Sequence, residues 1–279
     1  GYLYDWVWWS GILTMGVGEA ANFVAYGFAP ATLVTPLGAL SVVVSALLSA
    51  RLLNERMNII GKCGCLLCVC GATVLILHCP SEQAVRSSDT LAVLIMNPGF
   101  TAYSIFAVGS ALFLITYPSP QYARTNVMVY IGICSLLGSF SVMACKGVAL
   151  TVQEMYIDKK TSYTYPIAMF SVVTLVLCIT FQMCYLNKAL DIFNTALVTT
   201  VYYVCFTTCV IVASTLLFQE WKTLETVDVV AIVVGFTVVS SSMFLMTSFK
   251  DVELTWNRMT SSFGTPSCQE QTPILTGLT

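Results

Sequence analysis

Long apolar runs separated by short polar joints organise this chain. Eight of them, at 6–26, 31–52, 61–79, 99–116, 126–148, 165–186, 195–218 and 227–248, carry few polar positions. At about 1.5 Å of rise per residue, a helix of each length crosses a hydrocarbon core of roughly 30 Å. A membrane β-barrel would instead show short segments with strict in–out alternation, which these runs lack. A continuously apolar segment in lipid must satisfy its own backbone hydrogen bonds, so each run is predicted to be helical. The fold class expected is an all-α polytopic membrane protein, a helical bundle. Residues 1–248 form the membrane domain of eight predicted helices. Residues 249–279 are rich in Ser, Thr, Gln and Pro and are predicted to be a disordered polar tail. The chain begins at Gly1 without an initiator Met or a signal-peptide pattern, and its first residues lead directly into a span, so a preceding segment is expected to be missing.

Composition agrees with that pattern. Apolar residues make up 57% of the chain and charged residues 9%, too few charges to clothe a soluble globule of 279 residues. The net charge of −2 says little, because charge on such a protein belongs to its joints. If the odd-numbered runs cross in one direction, one side collects Arg51, Arg56, Lys62, Arg124, Lys188, Lys250 and Arg258, and the other Arg86, Lys146, Lys159, Lys160 and Lys222. The compact group Arg51, Arg56 and Lys62 puts the first side in the cytosol, together with the C-terminal tail. The lipid bilayer is the expected surrounding, and no nucleic-acid partner is expected.

Twelve cysteines raise the question of metal or disulfide chemistry. The densest group, Cys63, Cys65, Cys68 and Cys70, falls at the entry of a predicted span, where its spacing scatters the thiols around a helix. Structural zinc sites place such pairs on loops. Packing is the favoured role for these and for Cys134, Cys145, Cys178, Cys184, Cys205 and Cys209, with acylation of Cys63 and Cys65 near the boundary as a minor alternative. An enzyme is not expected. His78 is the single histidine and closes a span, and the chain has no phosphate-cradling glycine loop, no Gly-x-Ser-x-Gly and no histidine pair. No resident cofactor is expected.

The chain also repeats itself. One constant offset carries Ala25 to Ala189, Ala31 to Thr195 and Gly71 to Gly235, and gives identities at Leu33/Leu197, Val34/Val198 and Thr35/Thr199. One added residue brings Asn54-Glu55-Arg56 onto Gln219-Glu220-Trp221. The first three runs therefore match the last three. Partners five spans apart cross the membrane in opposite senses, so the repeats have inverted topology. This is the architecture of alternating-access transporters, with substrate held near the midplane between the halves.

Several segments carry a family resemblance. Trp8-Trp9-Ser10-Gly11, Gly18-Glu19-Ala20-Ala21-Asn22-Phe23, Pro30-Ala31-Thr32-Leu33-Val34-Thr35-Pro36-Leu37-Gly38 and Leu53-Asn54-Glu55-Arg56 resemble the NIPA magnesium transporters. Asn126-Val127-Met128-Val129-Tyr130-Ile131, Lys146-Gly147, Tyr185-Leu186-Asn187-Lys188-Ala189-Leu190-Asp191 and Gln219-Glu220-Trp221 continue the resemblance in order, over about residues 2–253. It implies a drug/metabolite-transporter-like fold, Mg2+ as the transported substrate with other divalent cations admitted, and residence in the plasma membrane and early endosome. It also implies a helix ahead of the Trp8-Trp9 segment that this chain lacks.

Local chemistry selects the candidate ion ligands. Mg2+ is small and hard, prefers six oxygens and gives up water reluctantly, so one or two carboxylates with retained waters make a site. Glu19 lies deep in the first run, where an ionisable group costs on the order of 2.5–3.5 kcal/mol and is kept for pairing or function. Met15, Asn22 and Tyr26 share its helical face. Thr199 and Tyr202 share a face on the run 195–218, Asn187 and Asp191 close the run before it, and Thr35 precedes Pro36, which removes a backbone donor. The candidate metal ligands are therefore Glu19, Asn22, Thr35, Asn187, Asp191, Thr199 and Tyr202, with Lys146 as a charge partner for Glu19 when the ion is absent. Helix–helix hydrogen bonding competes with ligation for Asn22, Thr199 and Tyr202. The alternative substrate class is an organic metabolite or drug, for which Tyr202, Tyr203 and Phe206 would line an aromatic cavity. A receptor or scaffold is disfavoured by the repeat and by the carboxylate in the span.

Overall fold

The computed structural model describes residues 6–52, 58–78, 88–117, 125–157, 164–218 and 224–248. All regular structure among them is helical. In chain order the helices are α1 (Trp6–Phe28), α2 (Ala31–Leu37), α3 (Ala39–Leu52), α4 (Ile59–Leu77), α5 (Ser88–Ile95), α6 (Pro98–Thr116), α7 (Val127–Ile157), α8 (Thr164–Ile192), α9 (Thr195–Phe218) and α10 (Thr226–Ser248). Among the described residues, seven spans are both long and apolar enough to cross a membrane: Ala31–Leu48, Ile59–Leu77, Pro98–Thr116, Val127–Met155, Pro166–Ile192, Leu197–Phe218 and Thr226–Ser248. At 23 residues α1 has the length, but Ser10, Thr14, Glu19 and Asn22 dilute its apolar character and leave it outside that set. The Asn54–Arg56 and Gln219–Trp221 ends of the repeats, the charges Arg56, Arg86, Arg124, Lys159, Lys160, Lys222, Lys250 and Arg258, and the tail 249–279 lie outside the described residues.

Three differences from the hydropathy pattern have physical causes. The run 31–52 is broken at Gly38. There the Gly38 N–H turns back to the Thr35 carbonyl at 3.2 Å, three residues earlier, which ends the α-helical ladder of α2 after seven residues before α3 begins. Next, α7 does not end near residue 148 but continues to Ile157. Ala149, Thr151 and Glu154 are buried on that extension, so packing holds a helix that the polar residues Gln153 and Glu154 conceal from a hydropathy reading. Part of the joint expected at 149–164 is therefore helix. Finally, α5 is an unexpected short helix whose Leu91 is buried against Gly147 of α7. The start of α6 follows local rules: the Asn97 side chain accepts from the Gly99 N–H at 3.0 Å, with Pro98 at the first helical position.

The core has one feature that speaks directly to the repeat. A methyl group built on Gly71 of α4 would meet the Gly235 carbonyl at 3.0 Å and Val239 at 2.8 Å, and one on Gly235 of α10 would meet the Gly71 carbonyl at 3.2 Å and Leu75 at 3.0 Å. The repeat offset carries Gly71 to Gly235 and Leu75 to Val239, so each contact is the image of the other. Gly64 lies against Ser242 and Met246 on the same pair of helices. Moving towards the N-terminus of α4 thus moves towards the C-terminus of α10, and the two helices are antiparallel. Equivalent helices crossing reciprocally in opposite senses are what a pseudo-two-fold axis in the membrane plane produces. Ala39, Val43, Cys68, Leu75, Ile232, Val239 and Met243 pack into one cluster around this crossing.

A candidate ion site among alpha1, alpha2, alpha7, alpha8 and alpha9

Polar contacts form a tract that links α1, α2, α7, α8 and α9. Tyr203 donates to the Pro36 carbonyl at 2.9 Å, tying α9 to the break between α2 and α3. Its neighbour Tyr202 points elsewhere. The Tyr202 oxygen accepts from Gln182 Nε2 of α8 at 2.6 Å, and Gln182 Oε1 accepts from Ser141 Oγ of α7 at 3.0 Å. Phe206, one turn on, stacks against the Tyr202 ring with centroids 5.3 Å apart. On α1, the Tyr26 hydroxyl is 3.3 Å from Thr35 Oγ1 of α2, and both residues are buried. Tyr26 and Tyr202 lie within electrostatic range of one another, and Glu19 lies within range of Tyr26 and of Cys145 on α7. Two hydrogen-bonded groups make up the tract, Tyr26 with Thr35 and Tyr202 with Gln182 and Ser141, and Glu19 stands on α1 two turns before Tyr26.

The candidate residues fall into two groups in this arrangement. Tyr26, Thr35 and Tyr202 belong to the tract, with Glu19 and Asn22 on the adjoining exposed face of α1 and Thr199 half-buried one turn before Tyr202. Asn187 and Asp191 are exposed near the end of α8, where Lys188 also stands with its ammonium 5.1 Å from the Tyr185 ring centre. Glu19 itself is exposed on α1, and the glycines flanking it, Gly16 and Gly18, have nothing within 4 Å of where a side chain would begin.

Lys146, counted with the joint charges in the hydropathy pattern, lies away from any joint. With α7 continuing to Ile157, it sits inside the helix, 2% exposed, with its ammonium 4.3 Å from the centre of the Phe218 ring on α9. A cation over an aromatic face in a desolvated setting gains up to about 2 kcal/mol.

Two members of the tract, Gln182 and Ser141, are not among the residues selected from the sequence. The signal was present: Gln182 is an amide in the span stretch Ile179-Thr180-Phe181-Gln182-Met183, where only Thr180 is also polar, and a buried amide obliges its neighbours to supply partners. Among the described residues no group of three or more His, Cys, Asp or Glu side chains is placed to hold a metal ion. The four thiols of α4 are spread round it, Cys63 and Cys70 exposed and Cys68 buried. A second hydroxyl bridge supports the site from behind. Ser139 Oγ spends its proton on the Leu136 carbonyl at 2.7 Å, and so accepts from Tyr103 of α6 at 2.8 Å.

Among the described residues, an all-helical bundle of membrane-spanning length with an antiparallel crossing of repeat-related helices defines a multi-pass helical membrane protein. The family model for the magnesium transporter NIPA matches residues 1–252, and the chain belongs to that family. Magnesium transporter NIPA3 of Homo sapiens is 47% identical over 261 residues, covering 94% of this chain and 63% of its own length. The protein of the same name from Pongo abelii matches to the same extent. Probable magnesium transporter NIPA2 of Arabidopsis thaliana is 44% identical over 252 residues, covering 90% of this chain and 75% of its own length. The chain thus spans less than two thirds of the length of its mammalian NIPA3 relatives. No solved structure matches it.

Proposed function

We propose that this protein carries Mg2+ across a membrane along the tract that begins at Glu19. The observation that carries the reading is a carboxylate exposed on α1, two turns before a buried phenol on the same helix, in a chain of the NIPA family. Mg2+ needs oxygen donors and parts with its water slowly, and a single carboxylate followed by neutral oxygens lets an ion enter without being trapped. An arriving dication stabilises the ionised form of Glu19, which hydrocarbon opposes. The substrate is Mg2+, with other divalent cations as weaker competitors. The seat of action is the plasma membrane and early endosome, with the joint after α3 and the C-terminal tail in the cytosol, as the grouping of Arg51, Arg56 and Lys62 argues.

The test is Mg2+ uptake into liposomes containing the full-length protein, compared with its Glu19→Gln and Glu19→Asp variants. Gln keeps size and hydrogen bonding without charge, so the protein folds and uptake falls at least tenfold. Asp keeps the charge but withdraws it by one methylene, so uptake is reduced and preference among divalent ions changes. Wild-type rates in Glu19→Gln would remove the carboxylate from the pathway.

A further inference from the structure

Gln182 has the geometry of a residue whose work is done through another. It is 8% exposed, and both ends of its amide are committed: Oε1 accepts from Ser141 and Nε2 donates to Tyr202. Room for it comes from a third helix. A methyl group on Gly138 of α7 would lie 2.7 Å from two carbons of the Phe206 ring and 3.2 Å from Gln182 Cδ, so only glycine leaves space there for the amide and the ring together. Phe206 in turn stacks on Tyr202. The phenol of Tyr202 is thus held on its face by Phe206 and at its oxygen by Gln182, and both of these rest in the Gly138 notch. With one lone pair of that oxygen taken by Gln182, the other lone pair and the hydroxyl proton are left for a ligand.

The chemistry left on offer is neutral. Tyr26, Thr35 and Tyr202 present hydroxyl oxygens, and the described residues contain no group of three acidic, histidine or cysteine side chains to replace the water on a dication. Neutral oxygens compete poorly with water for the inner shell of Mg2+, but they accept hydrogen bonds from the polarised waters already on the ion. We infer that Gln182 is a positioning residue for ion recognition: it fixes the Tyr202 phenol so that its oxygen accepts from the water shell of a hydrated divalent cation, which passes this part of the tract without shedding that shell. This rests on the Mg2+ transport proposed above and adds to it the form in which the ion is read.

The experiment uses full-length protein in liposomes and two probes, Mg2+ as substrate and hexaamminecobalt(III) as an exchange-inert mimic of a fully hydrated ion. Gln182→Met keeps bulk and loses both hydrogen bonds, and Tyr202→Phe removes the hydroxyl. Each is expected to raise KM for Mg2+ about threefold to tenfold, the worth of one hydrogen bond, with kcat within about twofold. The double variant should be no worse than either single one, because both disable the same oxygen. Hexaamminecobalt(III) should inhibit wild-type uptake competitively, and Gln182→Met should weaken that inhibition by the same factor as it raises KM. If Gln182→Met does not insert, Ser141→Ala releases only the far end of the amide and should give a smaller KM shift of the same kind. Robust Mg2+ uptake that ignores hexaamminecobalt(III), or an unchanged KM in Gln182→Met, overturns the inference while leaving Mg2+ transport standing. Wild-type liposomes with no Mg2+ uptake overturn the transport reading itself.

Discussion

Replacing Gly71 by alanine tests the crossing on which the two repeats meet. The new methyl carbon would stand 2.8 Å from Val239 Cγ2, 3.0 Å from the Gly235 carbonyl oxygen and 3.1 Å from Val238 Cγ1. Carbon atoms pack at about 3.5–4.0 Å, so the helices must part by several tenths of an ångström. Neither obstacle turns aside easily: the carbonyl belongs to the α10 backbone, and a valine in a helix has one strongly preferred rotamer. Overpacking of this kind costs about 1–3 kcal/mol. Thermal unfolding in detergent should therefore place Gly71→Ala below wild type by that amount. Gly109 of α6, with nothing within 4 Å, provides the control: Gly109→Ala should stay within about 0.5 kcal/mol. Adding Val239→Ala removes the nearest atom, so the Gly71→Ala/Val239→Ala double variant should lose less than the sum of the single losses. The repeat supplies a mirror experiment in Gly235→Ala with Leu75→Ala, where the closest approach is 3.0 Å to Leu75 Cγ. If Gly71→Ala and Gly109→Ala were equally stable, and neither pair showed coupling, α4 and α10 would not meet backbone to backbone and the reciprocal crossing would be wrong.

Two further outcomes follow from the packing. Lys146 and Phe218 should show a coupling of about 1–2 kcal/mol in a double-mutant cycle of Lys146→Met and Phe218→Leu read by unfolding; a coupling near zero would mean the ammonium does not rest on the ring. Because α4 and α10 are antiparallel, single cysteines at Asn58 and Glu225, the residues preceding them, should react with an impermeant maleimide from opposite faces of the membrane, Asn58→Cys from the cytosol. Labelling of both from one face would contradict the inverted arrangement.

Class and repeat were legible in the chain because both depend on local or periodic properties. Apolar runs of spanning length can be nothing but helices in lipid, since each backbone donor must find its acceptor within the same segment. Thus α4, α6, α9 and α10 lie within two residues of their hydropathy bounds. The offset that pairs Gly71 with Gly235 was visible as letters, and the intramembrane carboxylate stood out because its cost is independent of its neighbours.

Only the tertiary structure decided the rest. Hydropathy cannot see that α7 runs on past Glu154, because the support for those turns comes from residues far away in sequence that bury Ala149, Thr151 and Glu154. For the same reason the pattern counts Lys146 with the joint charges and offers it as a charge partner for Glu19, and only the packing shows its ammonium over Phe218 on another helix. The site shows the division most clearly. Helical spacing could place Glu19 with Tyr26, and Thr199 with Tyr202, because those pairs share an element. That Tyr202 meets the Gln182 amide depends on the rotation of α7 and α8 about their axes, set by packing such as the Gly138 notch, and that is a property of three helices together. A single chain of letters specifies the faces of its helices through their periodicity; which faces meet is decided by the close-packed fit of side chains between helices, which no local pattern records.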